Sequence, residues 1–219
     1  MSWIWTIGAP LVRGVMALLF RVRIEGIQRI PRHGAVVLAP NHVSVLDGPV
    51  LSAVTGAHRR RPVRNLVAAE VFHGPIGWIL NQARQIPIRR GIGDAGALDA
   101  AVAALCEGTC VGIFPEGHVN EEPRGELQRI RSGLTRVAIP GAAPVIPVGI
   151  WGTQSAWPSD GPIYASPLRR PRLAVVFGEP LVPAPGSAET PDGFRRRYVD
   201  ALRVQVERAR TIAGDPGAE

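Results

Sequence analysis

The sequence predicts a single α/β domain whose sheet is mainly parallel or mixed, flanked by helices and preceded by an N-terminal interfacial helix. Short apolar runs alternate with segments of helical periodicity along the 219 residues, and 46% hydrophobic with 20% charged residues is typical of a globular chain. No repeat or change of composition divides it. We assign residues 1–20 to a membrane-associating helix, 21–213 to the main domain and 214–219 to a disordered tail.

The N-terminal segment is apolar almost throughout residues 3–20, with Pro10 and Arg13 as the interruptions. It is short for a span of about 20 apolar residues, and an arginine in its middle is costly in hydrocarbon. Its tryptophans and aliphatic residues, with Arg21 and Arg23 close by, suit a helix lying in the membrane interface. The alternative is a helix packed on the domain's own core. Because the segment lacks the pattern of a signal peptide, we expect a peripheral or monotopic protein on the cytoplasmic face of the cell membrane.

The remaining elements follow from apolar runs, periodicity and turn residues. Strands are predicted at residues 21–26, 35–39, 63–69, 85–89, 109–114, 144–151 and 172–177. Helices are predicted at 48–54, 72–83, 98–107 and 132–139. A last helix begins at Thr190 and Pro191, and its apolar stripe consists of Phe194, Tyr198, Leu202 and Val206. Because strands alternate with helices, we expect reactive loops at the carboxyl ends of parallel strands.

The loop after the predicted strand 35–39 places His42 and Asp47 five positions apart. On a continuous helix such residues differ by roughly 140°, so their side chains meet only across a bend. Pro40 before the pair and Gly48-Pro49 after it indicate such a bend. Asp47 then accepts from one imidazole nitrogen and leaves the other free to take a proton. The alternative is that Asp47 only caps the following helix.

The residues Asn41-His42-Val-Ser44-Val-Leu-Asp47 resemble the first motif of the lysophosphatidate (glycerolphosphate) acyltransferase superfamily. Three further blocks follow in that family's order: Ile86-Pro-Ile-Arg-Arg90, Phe114-Pro-Glu-Gly117 and Val145-Ile-Pro-Val148. The resemblance runs from Ile24 to Gly152, which is more than half of the chain. Two positions depart from the family's pattern: Arg89 replaces an acidic or small residue, and His118 replaces a threonine. Both departures concern substrate identity more than reaction type.

This resemblance implies acyl transfer from an acyl thioester, carried by coenzyme A or acyl carrier protein, to the hydroxyl of a lysophospholipid such as lysophosphatidate. His42 would be the general base and Asp47 its partner, while Ser44 is a poor nucleophile because no second base lies near it. Arg90 would hold the acceptor's phosphate, and Glu116 and Gly117 would shape the acceptor site. The full substrate-binding set implied by the motifs is Asn41, Ser44, Arg90, Glu116 and Gly117. No metal or resident cofactor is implied.

The chain carries a net charge of +7, and all 25 of its basic residues are arginines. The planar arginine fork suits phosphate, so the expected partners include an anionic membrane surface as well as the acyl donor and the lysolipid. Coding bias also explains the choice of arginine over lysine. A nucleic-acid-binding module is an alternative that requires residues 59–61, 169–172 and 195–197 to share one face. We expect residues 58–61 to form a solvated loop instead.

A second alternative function comes from Gly91 to Gly96, which fit the pattern G-x-G-x-x-G before a helix and so suggest an NAD(P)-binding oxidoreductase. The preceding strand contains Pro87 and ends in two arginines, which disfavours it. Cys106 and Cys110 have no metal-ligand spacing and are predicted to be small buried residues in a reducing compartment. The apolar helix at 72–83 is expected to be core, or else to line an acyl-chain pocket.

Overall fold

The computed structural model describes residues 8–89, 91, 93–121, 126–158, 161, 163–164, 168, 170–183 and 189–214. Within them the helices are α1 (Ala9–Leu19), α2 (Asp47–Arg59), α3 (Gly74–Gln82), α4 (Ala95–Cys106), α5 (Gly133–Ala138) and α6 (Pro191–Ala213). The strands are β1 (Arg21–Glu25), β2 (Val36–Pro40), β3 (Val63–Ala68), β4 (Ile86–Ile88), β5 (Cys110–Gly112), β6 (Val145–Trp151) and β7 (Arg172–Phe177). Except for Gly214, the expected tail at 214–219 lies outside the described residues.

These seven strands form one sheet in the order β1-β7-β6-β2-β5-β3-β4. Strand β2 lies at its centre and pairs in parallel with β5 and β6, and β3 joins β5 to β4 in the same direction. Strand β7 runs antiparallel to β6, and β1 runs parallel to β7. The predicted mainly parallel, mixed sheet is therefore confirmed. We call the edge at which β2 to β6 end the carboxyl edge; β1 and β7 begin there.

Helices cover both faces of the sheet because each buried strand is apolar on both sides. Alternation along β2 turns Val37 and Ala39 toward α4, α5 and α6, whereas Val36 and Leu38 face α1 and α2. The predicted stripe of α6 is confirmed, since Phe194, Tyr198, Leu202 and Val206 are all buried. Burial of each such side chain contributes about 1.5–3 kcal/mol, so the two layers fix the strand ends that carry the loops.

Helix α1 has one packed side and one outward side. Met16 and the following Phe20 are buried with α2 and the sheet, while an apolar set remains exposed: Leu11, Val12, Val15 and Leu18. Among the described residues, every helix is too short or too polar to cross a bilayer. The helix thus fits both interpretations of the sequence, with a face for the core and a face for an interface.

Three expectations about burial were wrong. Helix α3 is not core, because among its residues only Gly77 is buried whereas Ile76 and Ile79 are exposed. Cys106 is exposed at the end of α4, and only Cys110, in β5, is buried. Residues 58–61 are not a solvated loop, because α2 continues to residue 59 and Arg61 is buried, its guanidinium donating to three backbone carbonyls.

Candidate active site

The loop between β2 and α2 brings His42 and Asp47 together, as the predicted bend requires. Imidazole Nδ1 lies 2.9 Å from carboxylate Oδ2. The same oxygen accepts the backbone N–H groups of Val43 at 2.7 Å and Ser44 at 2.8 Å. These donors precede the helix, and Leu46, the residue at the helix N-cap, makes no side-chain cap. Asp47 therefore organises the loop, and the interpretation that it only caps α2 is wrong.

The hydrogen bonds around the carboxylate determine which imidazole nitrogen carries hydrogen. Oδ2 of Asp47 already accepts two N–H groups, so it accepts from Nδ1–H of His42, and Nε2 keeps its lone pair in the neutral ring. Oδ1 accepts from the hydroxyl of Thr153 at 2.6 Å. The ring of Phe114 covers the imidazole at a centroid distance of 4.2 Å. Within the described chain Nε2 has no hydrogen-bond partner, so it is available to a substrate hydroxyl.

Glu116 joins the His42 loop to the segment that follows β5. Its Oε1 accepts the backbone N–H of His42 at 2.9 Å, and its Oε2 accepts that of Gln128 at 3.1 Å. Asn120 donates its backbone N–H to the carbonyl of His42 at 2.7 Å. Burial raises the pKa of Glu116, and the two N–H donors oppose that rise. Because both carboxylate oxygens are engaged, Glu116 positions the histidine backbone rather than facing an open acceptor site.

The side chains of Asn41 and Ser44 are likewise hydrogen-bonded to backbone groups of the protein. The Asn41 amide donates to the carbonyl of Ile150 at 3.0 Å and accepts from the N–H of the same residue at 2.8 Å. The Ser44 hydroxyl donates to the carbonyl of Trp157 at 2.7 Å and accepts from the N–H of Leu46 at 3.2 Å. Both side chains are buried. We therefore correct their predicted role from substrate contact to positioning, and Ser44 has no free hydroxyl to act as a nucleophile.

Gly117 has a conformational reason to be glycine. Its φ of +81° favours glycine, and a Cβ added there would lie 2.8 Å from Nε of Arg131. The residue thus shapes the surface beside Glu116, in line with the family motif. Arg90, predicted to hold the acceptor's phosphate, lies outside the described residues, so that role stays a prediction.

Comparison with known proteins agrees with this arrangement. A family model described as Acyltransferase matches residues 21–151, which include the whole His42 loop and the Glu116 segment.

The chain belongs to the acyltransferase family.

An uncharacterized protein of Mycobacterium tuberculosis is 31% identical over 94% of this chain, which spans 59% of that protein's length. A protein of Pseudomonas aeruginosa named lyso-ornithine lipid O-acyltransferase is 36% identical over 64% of this chain and 51% of its own length. The crystal structure of the 1-acyl-sn-glycerophosphate acyltransferase PlsC from Thermotoga maritima superposes with a TM-score of 0.76 at 21% identity, covering 94% of this chain and 79% of that chain. This likeness shows that the two share a fold.

Several groups of this acyltransferase domain were missed by sequence reasoning. Thr153 lies two residues beyond β6 and reaches Asp47 only because β6 is the neighbour of β2. Tyr198 of α6 donates its hydroxyl to the carbonyl of Ala39 at 3.0 Å, and burial raises the pKa of this phenol well above its ordinary value. Spacing along the chain does not give strand order, so no sequence signal identified these partners.

The dinucleotide-binding interpretation does not fit the turn before α4 in the acyltransferase domain. Asp94 accepts the backbone N–H groups of Ala97 at 3.3 Å and Arg89 at 3.0 Å, and these bonds lower the pKa of Asp94. A carboxylate therefore occupies the helix N-terminus that a pyrophosphate would need. Strand β4 also lies at the end of the sheet, away from a topological switch point.

The arginine clusters of the nucleic-acid interpretation are mostly used within the domain. Arg59 donates to the carbonyl of Ile30, and Arg197 pairs with Glu189 at 2.8 Å. Arg169 lies outside the described residues. Outside these clusters, Arg32, Arg64 and Arg84 line a cavity of about 610 Å³. That cavity lies where β2, β3 and β5 begin, opposite the carboxyl edge, so it is separate from the His42 loop.

Proposed function

We propose that this protein transfers a fatty acyl group from an acyl thioester to the hydroxyl of a lysophospholipid of the lysophosphatidate class. The observation that carries the proposal is Nε2 of His42, which no described residue engages, in a ring whose other nitrogen is held by the buried Asp47. The names of two relatives support the acceptor class: one is a lyso-ornithine lipid acyltransferase and the other an acylglycerophosphate acyltransferase.

In this mechanism the acceptor hydroxyl donates its proton to Nε2 while its oxygen attacks the thioester carbonyl. The resulting imidazolium is stabilised by the Asp47 carboxylate. The tetrahedral intermediate then collapses, its C–S bond breaks, and the leaving thiolate takes the proton back from the imidazolium. Lysophospholipid and acyl thioester thus become diacyl lipid and free thiol, with no covalent enzyme intermediate. The donor's carrier is coenzyme A or acyl carrier protein.

Exposed apolar side chains support a membrane location for this reaction. Val45 is exposed within the loop that carries His42 itself, and Ile163 and Tyr164 are exposed in the segment between β6 and β7. Leu18 is exposed at the end of α1, which leads into β1 at the same carboxyl edge. Exposed aliphatic and aromatic residues suit the interface of a bilayer, where the lipid acceptor resides. Placement on the cytoplasmic face stays a prediction.

The test is to incubate pure protein with an isotope-labelled acyl thioester and a mixture of lysolipids, and to identify the labelled product by mass spectrometry. His42→Ala should lower kcat by about 100-fold or more, which is the contribution expected of a general base. His33→Ala is the matched control, because that histidine is exposed near the opposite edge. No labelled lipid with any acceptor, or undiminished turnover by folded His42→Ala, would contradict the proposal.

A further inference from the structure

Arg131 lies against the Gly117 turn beside the candidate base. Its backbone N–H donates to the carbonyl of Pro115 at 2.9 Å, and its Nε donates to the carbonyl of Glu116 at 3.1 Å. A Cβ on Gly117 would lie 2.9 Å from Cδ of Arg131, so the missing side chain is what admits the arginine. The local fold thus fixes the position of Cδ and Nε, where the guanidinium joins the rest of the Arg131 side chain.

The charged end of Arg131 makes no ion pair among the described residues, in contrast to that of three arginines elsewhere in the chain. Arg29, Arg197 and Arg208 pair with glutamates. Arg131 is exposed and has no carboxylate within ion-pair distance among the described residues. Its Nη2 lies 3.4 Å from Nδ1 of His118, the residue that replaces the family's threonine. A guanidinium has five N–H donors, so most of its binding capacity remains available.

The guanidinium and the imidazole flank the same residue. The backbone carbonyl of Glu116 accepts a hydrogen bond from Nε of Arg131, and its carboxylate accepts one from the backbone N–H of His42. Both side chains thus belong to segments that meet at Glu116 on the carboxyl edge, where the hydroxyl of an acceptor would reach Nε2. A guanidinium binds two oxygens of a phosphate or carboxylate at once, which suits a lipid head group.

We propose that Arg131, oriented by Glu116 and His118, binds the anionic head group of the acceptor lysolipid. That the bound lipid is an acyl acceptor rests on the proposed function, whereas the binding of an anionic lipid by Arg131 does not. It assigns an oxyanion site to a residue outside the four motif blocks, in addition to the predicted role of Arg90. The oxyanion is either a phosphate monoester or a head-group carboxylate.

Arg131→Gln is the decisive variant, because the glutamine Nε2 occupies the position of the arginine Nε and keeps the bond to Glu116. Arg129→Gln is the matched control: Arg129 is exposed, lies two positions away in the same segment, and makes no described contact. Binding is measured by equilibrium dialysis with lysophosphatidate, with lyso-ornithine lipid, and with uncharged monoacylglycerol. The KM and kcat of acyl transfer to each acceptor are measured in parallel.

Arg131→Gln should raise the Kd and the KM for an anionic acceptor by about tenfold or more, with kcat little changed and monoacylglycerol binding unaffected. Arg131→Lys should recover part of the loss. The acceptor that loses most identifies phosphate or carboxylate as the group bound. Equal losses on charged and uncharged lipids, or anionic binding that Arg131→Gln leaves unchanged, would overturn the inference. Selective loss of anionic binding in a protein without transferase activity would refute the proposed function and leave this site standing.

Discussion

Replacing Asp47 by asparagine separates the charge of the carboxylate from its hydrogen bonds. Oδ2 of Asp47 accepts three N–H groups and Oδ1 accepts the Thr153 hydroxyl. An asparagine oxygen can take the place of Oδ2, since an amide NH₂ there would face three donors. The NH₂ then points to the Thr153 oxygen, which can accept it. The loop keeps its shape, and the imidazolium loses its anionic partner.

The expected loss of turnover follows from that single change. A hydrogen bond to a charged group is worth about 1.5–3 kcal/mol, so kcat of Asp47→Asn should fall by about 10- to 150-fold. Asp47→Ala is a poor test, because it would leave four buried donors without an acceptor. At about 1–3 kcal/mol each, their loss rivals the whole free energy of unfolding of a domain.

Steady-state kinetics and thermal unfolding of the same samples make the test. Thr153→Val is the control: it leaves Oδ1 of Asp47 without its hydroxyl and should reduce stability by about 1–3 kcal/mol while retaining most of kcat. The reasoning is refuted if folded Asp47→Asn turns over at the wild-type rate, since the carboxylate charge would then not stabilise the imidazolium.

Three further predictions concern other parts of the chain. Glu116→Gln offers one acceptor where His42 and Gln128 present two N–H groups, so urea unfolding should show that the free energy of unfolding falls by about 1–3 kcal/mol. Unchanged stability would contradict a link between the two segments through the Glu116 carboxylate. Burial raises the pKa of Cys110 to about 12, so a thiolate reagent at pH 8 should label exposed Cys106 alone until denaturant is added; labelling of both in native protein would be inconsistent with this. Val15→Glu on α1 should weaken binding to anionic vesicles, whereas Val204→Glu, at a position of α6 that is also exposed, should not; equal effects of the two variants would exclude α1 as the membrane contact.

The sequence was sufficient for the local features of the fold. Strand and helix positions, the mixed sheet and the His42–Asp47 contact all depend on periodicity or on turn residues close in the chain. Helix α3 was misjudged because an apolar sequence does not say which partner covers it, and here only Gly77 is buried. Cys106 was misjudged for a similar reason, since it lies on the outward side of α4.

The roles within the candidate site were harder to predict, because they depend on contacts between distant segments. Glu116 and Ser44 were assigned to substrate from motif position, yet their acceptors and donors belong to the protein's own backbone. Thr153 and Arg131 become relevant only when β6 and β5 flank β2. Residue type and spacing indicated a reactive loop, and only three-dimensional neighbours show which polar atoms in it remain unused.

Asn41 has a consequence for how the chain leaves the sheet. In a regular parallel ladder the N–H of Ile150 would bond to the Asn41 carbonyl, and its carbonyl to the N–H of Val43. The Asn41 side chain makes both bonds instead. The main chain is thereby released one residue before His42, and the freed N–H of Val43 turns to Asp47. A side chain that imitates backbone thus lets β6 continue as a strand while its neighbour bends away, and it supplies the donor that helps hold the carboxylate in place.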